Sequence, residues 1–136
     1  MVLKRVDLFA GISPEELISV AGLAQEVSFK AGETFLHQGE IADCLYVTVE
    51  GDTGIHIQGA GEVAVRAAPT VLGEMAIILR QPRSADCMAR TDVVALKIDS
   101  APFQQLLAEN PTLALAVIKV LAERLDNAQR NVMRDA

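Results

Sequence analysis

The sequence predicts a mainly β domain with flanking α-helices, built around an antiparallel barrel or sandwich. Apolar residues recur at helical spacing only near the two ends of the chain. Between them, about 70 residues form short runs in which apolar and polar residues mostly alternate, and turn sequences separate these runs at even intervals. Evenly spaced short strands of this kind are typical of antiparallel barrels and sandwiches.

Composition indicates a single folded domain over residues 1–136 and excludes some classes of partner. The chain is 51% hydrophobic and 22% charged, which is the composition of a globular protein rather than a disordered one. Its formal net charge is -6, so direct binding of DNA or RNA is not expected. An anion could bind only at a local site that overrides this global field.

The first predicted element is a helix within residues 1–25. The stretch ISPEELISVAGLAQ has Ser13 as a capping residue, Pro14 at the first helical position and Glu16 to complete a capping box. The chain start, MVLKRVDLFAG, lacks the long apolar region of a signal peptide. We therefore expect a cytoplasmic protein, or a cytoplasmic domain of a membrane protein.

Residues 26–99 are predicted to contain the strands. The runs rich in β-branched or aromatic residues are EVSFK, ETFLHQ, DCLYVTVE, TGIHIQ, EVAVRA, SADCMART and VVALKID. Turn sequences such as AGE, GEIAD, EGDTG and QGAGE separate the first five runs. Within this region, EMAII can form one helical turn.

Residues 100–136 are predicted to form two helices. Ser100 is a plausible cap and Pro102 suits the first turn of the first helix, while Asn110-Pro111 ends it and begins the second. The apolar stripe of the second helix consists of Leu113, Val117, Val120, Leu121, Leu125, Ala128 and Val132. A helix of about 23 residues would extend about 35 Å, far enough to reach a partner or a neighbouring domain. Its interspersed charges argue against a membrane span.

The stretch LGEMAIILRQPRSAD, residues 72–86, combines groups that suit an anionic ligand with a hydroxyl. Gly73 allows a close backbone approach. Arg83, after a loop stiffened by Pro82, offers a permanent cation that fits phosphate oxygens. Glu74 would repel a phosphate but can accept from a sugar hydroxyl. A nucleotide has both groups, whereas the structural alternative is an Arg83–Glu74 salt bridge at a sheet corner.

In order and spacing, this stretch resembles the phosphate-binding cassette of the cyclic nucleotide-binding domain family. That cassette reads aromatic-Gly-Glu-apolar-Ala, an apolar pair, a short loop, and Pro-Arg-small-Ala. LFAGISPEEL, FKAGETFLHQGEIADCLYVTVEG and the last strand with the two final helices also resemble the family. The resemblance implies an antiparallel β-roll, a jelly-roll-like double-stranded β-helix. It also implies an N-terminal helix, a short cassette helix and two C-terminal helices.

The resemblance further implies how a cyclic nucleotide would be held. Glu74 would accept from the ribose 2′-hydroxyl and Arg83 would pair with the cyclic phosphate. Backbone amides facing the phosphate would belong to Met75, Ala76, Ser84 and Ala85, next to Gly73. Two departures from the family pattern concern Leu72, where an aromatic is frequent, and RAAPTVLGE, which replaces a Gly-Asp turn. The second departure affects the shape of the loop before the cassette.

Base contacts are predicted less directly, and Leu72 is one candidate. Val63 and Val65 alternate on a strand before the cassette and could form a wall for the base, or could simply pack in the core. In the family, a residue of the last helix closes over the base. Residues that could do so here are Leu121, Arg124 and Leu125, although helical stripe residues often serve packing alone. Ser84 does not decide between cAMP and cGMP.

Other constellations indicate no further chemistry. His37 and His56 are the only histidines, which is too few for a metal cluster of several ligands. Cys44 and Cys87 lack metal-type spacing and are interpreted as free, buried thiols, with a disulfide as the alternative. No serine or cysteine nucleophile has a convincing set of partners.

The predicted function is a non-enzymatic regulatory or sensor domain that binds cAMP or cGMP, without a cofactor or a metal. It would belong to a larger signalling, transport or transcription protein, or act on a partner protein. The alternative is a ligand-free domain of the same fold that serves structure or dimerisation, in which Glu74 and Arg83 pair with each other. A homodimer through the last helix is compatible with both hypotheses.

Overall fold

The computed structural model describes residues 11–135, with the side chains of Arg124, Ala128 and residues 131–135 left out. The helices are α1 (Pro14–Ala21), α2 (Glu74–Leu79), α3 (Ser100–Glu109) and α4 (Pro111–Asp135). The strands are β1 (Ala24–Phe29), β2 (Thr34–Leu36), β3 (Cys44–Glu50), β4 (Asp52–Ile57), β5 (Gly61–Ala67), β6 (Thr70–Leu72), β7 (Asp86–Ala89) and β8 (Val93–Asp99).

The eight strands form two antiparallel four-stranded sheets, in the orders β1-β8-β3-β6 and β2-β7-β4-β5. This architecture of antiparallel strands with flanking helices confirms the predicted fold class. Strand β3 lies inside the first sheet and is buried on both faces, because Leu45 and Val47 pack toward the helices while Cys44 and Tyr46 belong to a second apolar cluster. Burial of both faces explains why the run CLYV shows little alternation.

Two apolar clusters form the core. One, which we call the helical core cluster, joins the first sheet to the helices. Its largest members include Leu45, Ile98, Phe103 and Leu113. The other joins residues of both sheets, where Phe29 and Phe35 stack at 4.4 Å and Tyr46 meets both rings edge-on. The sheets therefore have their own interior, separate from the layer that holds the helices.

The predicted N-terminal helix is confirmed from its cap onward. The amide of Glu16 donates to Ser13 Oγ at 3.2 Å, and the amide of Ser13 donates to Glu16 Oε1 at 3.1 Å, which completes the capping box. Strand β1 begins at Ala24, so the boundary placed after residue 25 is two residues late. The first ten residues of the predicted helical part lie outside the described residues.

Strand β6 was not predicted. It is only three residues long and follows the cis peptide bond Ala68–Pro69, within the stretch that departs from the family pattern. Thr70 pairs with Thr48 and donates to its hydroxyl at 3.2 Å, and Leu72 pairs with Tyr46. This pairing places the start of the cassette beside the first residues of β3.

The two C-terminal helices begin almost as predicted. Helix α3 starts at Ser100 with Asp99 as its N-cap, so the assignment of Ser100 as cap is wrong; the Ser100 hydroxyl instead accepts from Gln104 Nε2 at 3.3 Å. Asn110 ends α3 and α4 begins at Pro111, as expected. Along the predicted stripe of α4, burial is complete at Leu113 and is lost by Leu125.

Among the described helices, none alone is long and apolar enough to cross a membrane. Helix α3 and Pro111–Asn127 meet that requirement only when taken together, and the chain bends by 110° between them.

Candidate functional site

Gly73 connects β6 to α2 in a conformation that only glycine adopts easily. Its φ is +84°, in the left-handed region, and it is the N-cap of α2. A Cβ at this position would collide with Arg83 Nη1 and come within 3.2 Å of Leu36 Cδ1. Glycine is therefore required both for the turn and for the close approach of the arginine.

Glu74 is the first residue of α2 and is buried, with 8% of its surface exposed. A carboxylate is favoured at the N-terminus of a helix, where free backbone N–H groups give a partial positive charge. Glu74 lines a cavity of about 180 Å³ between the cassette and the strands. A buried carboxylate in a cavity wall can accept hydrogen bonds from a ligand.

The backbone of Arg83 is fixed by the loop between β2 and β3. Its amide donates to the carbonyl of Glu40 at 2.9 Å, and its carbonyl accepts from the amide of Gly39 at 2.9 Å. Gly39 has a φ of +87°, which explains the turn glycine at this position. Two segments that lie far apart in sequence are thus paired at Arg83.

The Arg83 side chain is also buried, with 5% of the residue's surface exposed. Nη1 donates to the carbonyl of Gly73 at 2.9 Å, and Nη2 donates to the carbonyl of Cys44 at 2.5 Å. The exposed carboxylate of Asp43 lies 4.0 Å from Nη2. These acceptors stabilise a buried cation, which would otherwise be costly. A guanidinium has five N–H donors, so bonds to two carbonyls leave it able to bind an anion.

The cavity brings the predicted ligand-binding residues together, and we call it the cassette cavity. Its lining residues are Leu36, Ile55, Val71, Leu72, Gly73, Glu74, Met75, Ala76, Arg83, Ser84, Ala85 and Cys87. All seven predicted ligand-binding residues and Leu72, a predicted base contact, are among them. Four lining residues were not predicted from the sequence: Leu36 of β2, Ile55 of β4, Val71 of β6 and Cys87 of β7. Alternation in TFLHQ and TGIHIQ marks Leu36 and Ile55 as inward-facing but does not show which cavity they face.

The remaining predicted base contacts lie elsewhere. Val63 and Val65 are half-exposed on β5, so their interpretation as core residues is wrong. Directly opposite residues on paired strands share a face. Ile55 lines the cavity and pairs with Ala64, whereas Val65 pairs with Gly54 and so faces the other side of the sheet. A register shift beside this pair, between Ile55 and His56, makes the faces hard to assign from alternation.

On α4, Leu121 packs against the helical core cluster and is not among the cavity-lining residues, and Leu125 is exposed. The side chain of Arg124 lies outside the described ones.

Cys44 and Cys87 are free, buried thiols. Burial raises the pKa of the Cys87 thiol to about 11, although the nearby Arg83 lowers it in part. Burial also raises the pKa of Cys44, whose Sγ lies 3.7 Å from Arg83 Nη2. Both thiols are uncharged near neutral pH, so they leave the charge of Arg83 available. Among the described residues, no three His, Cys, Asp or Glu side chains cluster as metal ligands.

Comparison with known proteins agrees with this geometry. The family model described as cyclic nucleotide-binding domain matches residues 26–110. A CRP-like cAMP-activated global transcriptional regulator of Mycobacterium tuberculosis is 27% identical over 135 residues, covering 96% of this chain and 60% of that protein. A cyclic nucleotide-gated potassium channel of Mesorhizobium japonicum is 32% identical over 119 residues, covering 88% of this chain and 33% of the channel.

A solved structure shows the same fold at nearly full length. The N-terminal domain of a transcriptional regulator from Streptomyces coelicolor superposes with a TM-score of 0.81 at 30% identity, covering 94% of each chain. The chain spans only 60% of the M. tuberculosis regulator and a third of the channel. These relatives are a regulator and a channel that contain further segments beyond the matched one.

Proposed function

Because the chain belongs to the cyclic nucleotide-binding domain family, we propose that it binds cAMP or cGMP in the cassette cavity and regulates a neighbouring domain or partner. The observation that carries this proposal is the burial of Glu74 and Arg83 in the wall of one small cavity. Burying both charges costs free energy, whereas a salt bridge at the protein surface would not incur this cost. A ligand that needs both an acceptor and a cation gives them a function.

Each group has a role that follows from its chemistry. Arg83 pairs with the cyclic phosphate through charge-assisted hydrogen bonds, and Glu74 accepts from the ribose hydroxyl. We expect the backbone N–H groups of Met75 and Ala76, in the first turn of α2, to face the same anion. Those of Ser84 and Ala85 are proposed to do the same. This arrangement binds a nucleotide without a metal or a catalytic group.

The size of the cavity limits how much of the nucleotide it encloses. A volume of about 180 Å³ is below the roughly 300–1,000 Å³ of typical small-molecule sites. The cavity therefore holds the phosphate and ribose, while the base lies against Leu72 and extends outward. Val63, Val65, Leu121 or Arg124 would contact the base only if it extended beyond the cavity or if α4 moved.

The regulatory step follows from differential binding. A ligand shifts a conformational equilibrium only by its difference in affinity for the two states. We propose that nucleotide binding orders the cassette and draws α4 toward the base, and that α4 transmits this change. The M. tuberculosis relative is described as cAMP-activated, so cAMP is the first nucleotide to test and cGMP the second. A cytoplasmic location and the absence of enzymatic activity are parts of the same proposal.

The second candidate function is a ligand-free domain for structure or dimerisation. One observation favours it, since Arg83 already has two carbonyl acceptors without any ligand. Dimerisation is supported by exposed apolar residues of α4, Leu115, Ile118 and Leu125. With Ala122, they follow the 3-4-3 spacing of a coiled-coil seam, on a different face from the buried Leu113 and Val117. A homodimer through α4 is compatible with nucleotide binding as well.

Thermal unfolding with nucleotides distinguishes the two candidates. A ligand at 100 times its dissociation constant stabilises the folded state by about 2.7 kcal/mol, which corresponds to a rise in Tm of about 5–10 °C for a domain of this size. We expect that rise with cAMP or cGMP and no comparable rise with 5′-AMP, whose phosphate is not cyclic. Equal Tm values with and without all three nucleotides would support the ligand-free domain.

A further inference from the structure

A second depression, larger than the cassette cavity, lies along the other side of α2. Its main part is a cavity of about 320 Å³ between α2, α3 and the end of the loop before β3. A smaller part of about 200 Å³ adjoins it and shares Ile77, Arg80 and Gln104. We call both parts together the rear trough. Ala76 lines the rear trough as well as the cassette cavity, so α2 is a wall common to both.

The rear trough combines an apolar lining with one cation. Pro82, Ile78 and Leu107 supply apolar surface, and Ile41 at the rim is 88% exposed. Ile77 also lines the trough but is buried. Large apolar side chains that remain exposed beside a depression are typical of binding sites. Among the described residues that line the rear trough, Arg80 is the only charged one. A matching ligand therefore has an apolar body and one negative charge.

Arg80 is held in an unusual backbone conformation. Its φ of 54° and ψ of 48° are left-handed, at a helix C-terminus where glycine is the usual residue. The amide of Arg80 donates to the carbonyl of Ile77 at 3.3 Å, and the amide of Gln81 donates to that of Ala76 at 3.0 Å. Among the described residues, Arg80 is the only non-glycine with positive φ. Such outliers concentrate at functional sites, which makes the Arg80 side chain a candidate for ligand binding.

We propose that the rear trough binds a small amphipathic anion, with its apolar body against Ile41 and Pro82 and its carboxylate, sulfonate or phosphate on Arg80. The size of the trough fits a small molecule, because typical sites measure roughly 300–1,000 Å³. The lining set is too small for a stable protein interface, which takes about 20–30 residues on each side.

The wall shared through Ala76 links this site to the cassette cavity. An occupant of the rear trough stabilises one position of α2, and a ligand in the cassette cavity stabilises one as well. If the two positions differ, each ligand changes the affinity of the other by the same factor. This coupling rests on the proposed nucleotide binding, whereas the anion site itself does not.

Anilinonaphthalenesulfonate, a small aromatic sulfonate, is a suitable probe. We expect it to bind the wild-type protein and to shift the NMR amide resonances of Ile41, Ile77 and Gln104 more than those of Ser84 and Ala85. Arg80→Gln, which keeps the Cβ, should weaken binding about fivefold. Arg66→Gln, a matched loss of an exposed arginine on β5, should leave the affinity unchanged.

Three results would overturn the anion site: absence of binding, equal affinity for wild type and Arg80→Gln, or largest shifts outside the rear trough. Titration of cAMP with and without the sulfonate then measures the coupling. If cAMP does not bind at all, the nucleotide proposal fails while the Arg80 result still stands.

Discussion

At the scale of single residues, Arg83 shows how a buried charge is positioned by backbone groups. Its main chain pairs with Gly39 and Glu40, and its guanidinium donates to the carbonyls of Gly73 and Cys44. Gly73 contributes by lacking a Cβ where the guanidinium lies. The cation is therefore in place before any ligand arrives, which lowers the ordering cost of binding.

Cys87, in the wall of the same cavity, predicts an alkaline loss of stability. Its pKa is raised from 9.0 to about 11 in the folded state. The contribution of the neutral Cys87 thiol to the free energy of unfolding is therefore fully present below pH 9. It is lost as the pH rises from 9 through 11, and the total loss is at most about 2–3 kcal/mol. Denaturant unfolding from pH 7 to 11 should show a smaller decline for Cys87→Ala than for wild type.

The comparison concerns the slope with pH, because the substitution also changes the stability at pH 7 by removing buried volume. Cys44, whose pKa is raised as well, remains in both proteins and cancels from the difference. Parallel declines in the two proteins would show that Cys87 is not buried as a neutral thiol.

At the scale of elements, α2 illustrates how a short helix is bounded at both ends by left-handed residues. Gly73 precedes it and Arg80 follows it. A non-glycine residue in this conformation costs about 1–2 kcal/mol. Glycine avoids that cost, but its greater freedom in the unfolded chain destabilises the folded state by about 0.5–1 kcal/mol. The end of α2 is thus a position where the sequence does not minimise local strain.

Arg80→Gly should therefore stabilise the folded protein, by about 0.5 kcal/mol. Urea unfolding measures the difference, with Arg80→Ala as the control that removes the guanidinium but keeps the Cβ. The alanine variant should show no gain. If glycine gave the same stability as alanine, or a lower one, the left-handed conformation at residue 80 would be refuted.

The elements also show what sequence reasoning can and cannot determine. The run VVALKID has the bounds of β8, and the capping box at Ser13 and the break at Pro111 depend on local chemistry that a short stretch reveals. Strand β6 was missed because three residues carry too little pattern. The order Gly-Glu to Pro-Arg pointed to the cassette. Apart from Gly73, however, the partners of Arg83 come from residues 39–44, which only the tertiary fold brings near.

At the scale of the whole molecule, α4 has two apolar faces, one buried and one exposed. Its first turns bury Leu113 and Val117 in the helical core cluster. Further along, Leu115, Ile118 and Leu125 present a separate exposed apolar line. A helix of 25 residues is about 37 Å long, so much of this line extends where a second copy can pair with it.

Ile118→Glu should abolish the homodimer if this line is its interface, because it places a charge in the seam. Sedimentation equilibrium of wild type and variant measures the association. Glu123→Lys, also exposed on α4 but off the line, should leave it unchanged. A wild type that is monomeric at high concentration, or a variant that dimerises equally well, would exclude this interface.

Arg83 is the central residue of the proposed nucleotide site, and calorimetric titration with cAMP tests its role. Loss of charge-assisted hydrogen bonds to a phosphate should cost roughly 2–4 kcal/mol, which weakens binding about 30- to 1000-fold. We therefore expect measurable binding to wild type, reduced by that factor in Arg83→Ala and by less in Arg83→Lys, which keeps the charge. Circular dichroism of each variant shows whether it is folded. An unchanged dissociation constant in folded Arg83→Ala, or no binding of either cAMP or cGMP to wild type, would contradict the proposed site.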